Sequence, residues 1–174
     1  MKRSILLWQL LGLTVTSILG TLLHFLYEWC PTPLTAIFSG VNESTWEHMK
    51  LFFWPSLAFA IFQYFFFSDR PEFWCVKLRG TLLGLVLIPA FFYGYNGIIG
   101  KSPDWLNISI FFISAAIAYF YEGRKFKSNT TVCKYPKVPI FILSAIALFF
   151  IIFTFATPQI NVFKDPLTQN YGIM

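Results

Sequence analysis

Apolar residues gather into five long runs that hold almost no charge: about Ile5–Tyr27, Leu51–Phe67, Thr81–Ile99, Trp105–Tyr121 and Val138–Ala156. Short polar stretches divide them. A helix rises 1.5 Å per residue, so crossing a hydrocarbon core of ~30 Å takes about 20 residues, with a working range of roughly 17–25. Every run meets that length, and helices are the open-chain way to satisfy backbone hydrogen bonds in lipid. The pattern predicts an all-α, polytopic transmembrane helical bundle of about five spans, a single domain over residues 1–174 with a tail over 157–174. Met1-Lys2-Arg3 ahead of an apolar run is also how a secretory signal peptide starts. Here the run continues through His24 and Tyr27 with no small-x-small cleavage site, so it reads as a retained first span.

Within these runs Pro55 and Pro89 remove backbone donors and predict kinks that lipid tolerates, while Pro139 falls in a first turn. No internal repeat appears, which removes support for an inverted-repeat transporter architecture. The segment Pro31–Val41 is moderately apolar and is expected to lie in the interface or dip back into the bundle.

Composition agrees with the pattern. Of 174 residues, 56% are hydrophobic and 12% charged, against roughly 25% charged in a soluble domain. The net charge of +5 does not point to nucleic acid, because the basic residues sit in short loops between apolar runs. With the amino terminus in the cytoplasm, the inner segments hold Lys2, Arg3, Arg70, Lys77, Arg79, Arg124, Lys125, Lys127, Lys134 and Lys137. The outer ones hold Lys50, Lys101 and Lys164. This asymmetry predicts a cell-membrane protein with a cytoplasmic amino terminus and an extracytoplasmic carboxy terminus. On that topology Cys30 lies outside and Cys75 and Cys133 inside, so the three read as unpaired thiols without metal spacing. Asn42, Asn107 and Asn129 head glycosylation sequons, the last on the cytoplasmic side.

The candidate chemistry lies between His24 and Lys50. Both histidines of the chain are there, with Glu28, Glu43 and Glu47. His24 and Glu28 are four apart and share a helix face near the outer end of the first span. An ionisable group at such depth faces a bundle interior or cavity. Ser44-x-x-Glu47 reads as a capping box opening the second span, and acidic Glu43 suits a helix amino terminus. His48 is four residues from Ser44, a spacing that also permits a Ser–His nucleophile pair. Asn42, Tyr93, Asn96 and Asp165 are expected to support this cluster, with an interface anchor as the alternative for Tyr93. Asp104 is expected to be a capping or first-turn acid of the fourth span, and Asn107 to bond between helices. Asp165-Pro166 predicts a turn, and Phe163, Tyr171 and Ile173 give the tail apolar handles for docking over the bundle mouth.

Leu23-His24-Phe25-Leu26-Tyr27-Glu28-Trp29, the run Val41-Asn42-Glu43-Ser44-Thr45-Trp46-Glu47-His48-Met49-Lys50, and Phe163-Lys164-Asp165 with Tyr171-Gly172 carry a resemblance. The chain resembles an uncharacterised group of small bacterial multi-pass membrane proteins with a VNESTWEHMK-type motif, which implies no activity. It is also loosely similar to membrane-embedded ceramidase-like hydrolases, which use His, Ser and Asp near one membrane face; their pattern has a third histidine that this chain lacks.

Three functions remain open. The first is a structural or partner-binding His/Glu/Asn network in contact with the bilayer. The second is a metal-dependent hydrolase of a lipid-like substrate at the outer face. In it His24, His48 and one of Glu28, Glu43 or Glu47 hold zinc, since imidazole and carboxylate are ordinary zinc ligands. The third is transport of a small solute or proton. Bis-histidine haem ligation by His24 and His48 is a minor variant.

Overall fold

The computed structural model describes residues 4–100, 103–128 and 131–173. Lys2, Arg3, Lys101, Asn129 and the Asp104 side chain, which entered the reading above, lie outside what is described. Six α-helices form among the described residues: α1 (Ile5–Trp29), α2 (Pro33–Phe38), α3 (Thr45–Phe67), α4 (Phe73–Ile98), α5 (Asp104–Ser128) and α6 (Lys137–Phe155). All except α2 are long and apolar enough to cross a membrane. The chain is an all-α bundle with five such helices.

The long helices alternate in direction. α1, α3, α4 and α5 pack as a ring, each against two neighbours, and α6 lies outside against α4. Phe52, Phe53, Leu85, Phe111, Ala115 and Phe150 fill the space between them. Gly20 lets α1 close on the ring, because a methyl group there would stand 2.6 Å from the Phe111 ring and 2.8 Å from the Leu51 carbonyl oxygen. That carbonyl is the one whose helical donor Pro55 removes. Pro55 and Pro89 both stay within continuous helices.

Three of the helices outrun the apolar segments. α3 opens at Thr45 rather than Leu51, α4 at Phe73 rather than Thr81, and α5 continues past Tyr121 to Ser128. Hydropathy stops at the first charged residue, whereas a helix continues wherever the bundle supplies partners. Lys50 and Lys77, counted above as loop charges, are in fact buried inside α3 and α4. Lys77 Nζ meets Glu122 Oε2 at 2.6 Å and lies over the rings of Tyr119, Phe59 and Phe73. Lys50 Nζ contacts Glu47 Oε2 at 2.6 Å and donates to the Ala36 carbonyl at 2.8 Å and Thr154 Oγ1 at 3.0 Å. All three ammonium donors are thereby used, and α2, α3 and α6 are joined at one point.

The segment after α1 dips back as α2, capped by Thr32 and Thr35 in a reciprocal capping box. The cysteines are not three unpaired thiols. Cys75 and Cys133 form a disulfide with Cα atoms 5.9 Å apart, and only Cys30 is free. Cys75 falls in the first turn of α4, and the chain beyond α5 returns over it; a sequence separation of 58 gives no sign of this.

Candidate metal centre

His24 projects from α1, His48 from the first turns of α3, and Glu43 from the loop between α2 and α3. His24 Nε2 lies 3.5 Å from Glu43 Oε1, and His48 Nε2 lies 3.7 Å from Glu43 Oε2. The two imidazoles meet edge to face with centroids 5.7 Å apart. One ligand atom from each of the three residues falls within 4.8 Å of the others. Ligands held 2.0–2.1 Å from a tetrahedral zinc ion stand about 3.4 Å from one another. The two contacts to Glu43, made through different carboxylate oxygens, come near that spacing, and the set of one atom per residue lies within 4.8 Å. Both contacts are longer than ordinary hydrogen bonds. Side by side on one carboxylate, the rings do not face each other across a porphyrin.

Each side chain is brought there by a local device. Ser44 Oγ accepts from the Glu47 amide at 3.4 Å and opens α3. His48 Nδ1 sits 3.0 Å from the Ser44 carbonyl oxygen. A carbonyl only accepts, so this contact puts the proton on Nδ1 and leaves the Nε2 lone pair toward Glu43. Ser39 Oγ accepts from the Tyr27 amide at 2.9 Å and donates to the Leu23 carbonyl. An uninterrupted helix would join that amide and carbonyl directly, so Ser39 enters the α1 ladder at the turn carrying His24. His24 Nδ1 itself is buried without a hydrogen-bond partner.

Glu43 is held from the tail. Its amide donates to Asp165 Oδ2 at 3.4 Å, while Asp165 Oδ1 accepts from the Leu167 and Thr168 amides at 2.7 and 3.2 Å, closing the expected turn. Asn42 Nδ2 donates to the carbonyl of Gly172, whose φ of +70° favours glycine. Phe163 is buried between Trp46 and Phe153, so the tail is docked on the bundle. Hydrogen bonding from His24, and the positive charge of the two imidazoles when they are protonated, hold the Glu43 carboxyl below the usual carboxylate range, against the opposing effect of partial burial.

Other expected contributors are used differently. Glu47 is buried, paired with Lys50 and accepting from the Val41 amide at 3.1 Å. The capping box is therefore half formed: Ser44 caps Glu47, but the Ser44 amide donates to Asn42 Oδ1 at 2.9 Å. No Ser44–His48 nucleophile pair results, since His48 meets the carbonyl and the hydroxyl serves the cap. Glu28 lines the same small cavity as Glu43, about 60 Å³, without joining the group of three. Asn96 donates to the Phe92 carbonyl of its own helix, and Tyr93 packs on Phe92. Asn107 faces a cavity shared with Glu43 and His48. Ser39 and Glu122 carry no signal in the sequence pattern, and Lys50 counts there only as an outer-segment charge. A lone serine in a loop resembles any other, and Glu122 follows directly on the apolar run that ends at Tyr121.

A model of one protein family matches residues 2–173. The chain belongs to the DUF6512 family of unknown function. No curated protein and no solved structure matches it. For this DUF6512 member, function has to be argued from the centre itself.

Proposed function

We propose that the protein is a membrane-embedded, divalent-metal-dependent hydrolase with its metal held by His24, Glu43 and His48. The observation that carries the reading is the approach of three ligand atoms to within 4.8 Å of one another. Two imidazoles and one carboxylate suit zinc, and three protein ligands leave a coordination position for water or substrate. The metal would supply Lewis acidity and a more acidic water. Glu28, on the same small cavity, is assigned the role of proton carrier. Water oxygen bonds to the substrate carbonyl carbon, its proton passes to Glu28, and the acyl–heteroatom bond breaks. The proton then goes to the leaving group, giving a carboxylic acid and an alcohol or amine.

Metal analysis of the purified protein tests this. About one zinc per chain is expected, lost in His24→Ala, Glu43→Ala and His48→Ala and kept in Glu28→Gln, which loses hydrolysis. Wild-type metal content in all three ligand variants, or none in the wild type, overturns it and leaves a structural network.

The proposal includes an orientation with the centre extracytoplasmic. The Lys/Arg bias supports it. The Cys75–Cys133 bridge at the basic end opposes it, because disulfides persist in oxidising compartments. Exposed Cys30 reports directly: a membrane-impermeant maleimide should label it in intact cells, and labelling only after lysis reverses the orientation.

A further inference from the structure

Beside the metal centre, an open cavity of about 290 Å³ runs between α1 and α5. Its walls include Thr21, Phe25, Ile108 and Phe112, and His24 and His48 border it. Ile108, Phe25 and Phe112 are exposed on the bundle exterior at 57%, 41% and 39%, so the groove opens sideways toward lipid. Thr21 donates its hydroxyl to the Ser17 carbonyl at 2.9 Å, within α1. That spends its polar atom on the helix and leaves the groove apolar.

Apolar grooves are ordinary on a membrane protein, so size alone argues nothing. A second one, about 370 Å³ and lined by Leu57, Ile61, Ile140 and Leu148, borders no titratable side chain. The α1–α5 groove differs in having a polar end, and in its direction. Along α1 the order is Glu28, then His24 and Phe25, then Thr21 and Gly20, from the helix end toward its middle. Glu28 borders the neighbouring small cavity, and within the groove imidazole gives way to hydrocarbon in the order of a lipid in its own leaflet, head toward the helix end and chain below. The volume is at the small end of ligand pockets, which suits one chain.

We infer that this groove seats one acyl chain of a single-chain bilayer amphiphile, entering sideways, with the amphiphile's polar linkage against His24 and His48. The seat stands on the groove's geometry; any cleavage of the linkage rests on the metal-hydrolase reading.

The test uses the full chain in phosphatidylcholine nanodiscs and a palmitoyl amphiphile carrying a mid-chain diazirine. Peptide mapping after photolysis should find labelling of α1 and α5 around Thr21–Phe25 and Ile108–Phe112 well above that of Leu57 and Ile61. Excess unlabelled palmitate should suppress it, although diacyl phosphatidylcholine already surrounds the protein. Ile108→Trp fills the groove without altering a proposed ligand. It should lower this labelling by about tenfold, as a large side chain occupies the seat, with metal content unchanged. Equal labelling of both grooves, no suppression by palmitate, or unchanged labelling in Ile108→Trp overturns the inference. A metal-free protein that still shows the labelling pattern sinks the hydrolase reading and keeps the seat.

Discussion

Two acid–base clusters occupy opposite ends of the same bundle. Near the α3–α4 connection, Lys77 and Glu122 meet at 2.6 Å, with aromatic rings packed around the ammonium. At the far end, His24 and His48 stand 3.5 and 3.7 Å from Glu43, and Glu43 is 41% exposed. The first contact is closed: opposite charges touch in a site that excludes water. The second converges on one shared carboxylate without a short contact, and its side chains stay partly exposed. Lys50 sharpens the comparison. It belongs to the same end as the histidines and even to the same helix as His48, yet its three donors are fully used. Charge near a membrane span is therefore no mark of function by itself. What separates the two clusters is whether their charged atoms already meet at bonding distance.

The largest expected effect tests the closed pair. Removing one partner leaves a buried charge alone, so Lys77→Met or Glu122→Gln should each cost about 3–5 kcal/mol. The double change Lys77→Met with Glu122→Leu should restore most of it, read as thermal unfolding in detergent. Equal losses from His24→Ala and His48→Ala would erase the distinction between the clusters.

A smaller effect tests how the open cluster is held. Asp165→Ala removes the acceptor for the Glu43 amide, and supports behind metal ligands contribute roughly 10–100-fold to affinity. Zinc affinity, measured by competition with a chelating dye, should fall by that order. Unchanged affinity would mean that the tail is packed on the site without organising it. Next in size is Ser44→Ala, which deletes the α3 cap and should cost about 1 kcal/mol of stability. Because His48 contacts the Ser44 carbonyl rather than the hydroxyl, metal binding should survive. Loss of metal in this variant would show that the hydroxyl does more than cap.

The smallest effect is a pH dependence. Glu43 has a depressed folded-state pKa. In metal-free protein its contribution is present above the unfolded carboxylate value, about 4.3, and is lost as pH falls through the lower folded value. Glu43→Gln should flatten that acid limb of the melting-temperature profile. An identical limb in both proteins would show that the imidazoles do not act on Glu43.

Much of this was open to a reader of the sequence. The five apolar runs announce the long helices, because only a continuous helix satisfies its backbone in lipid. The His24–Lys50 stretch stands out because ionisable groups are rare at span ends, and the chain's two histidines do converge. Periodicity could not choose among Glu28, Glu43 and Glu47. All three are near in sequence, and their fates depend on partners brought from elsewhere: Lys50 and the Val41 amide for Glu47, the Asp165 carboxylate for the Glu43 backbone. Glu122 gives no signal in the sequence, because a charged residue after an apolar run looks like the end of a span. Only its contact with Lys77, forty-five positions earlier, shows that the helix continues with both charges buried.

By itself, then, the sequence determined the membrane class, the number of long apolar helices and the stretch where unusual chemistry is concentrated. These follow from local quantities: hydropathy summed over a span, and residue type at a given depth. The tertiary structure alone decided which charges neutralise one another, that Cys75 pairs with Cys133, and that Glu43 is the carboxylate both histidines share. Those outcomes depend on distances between segments far apart in the chain. Such distances are set by how helices pack around Gly20 and how the tail folds back through Asp165 and Gly172.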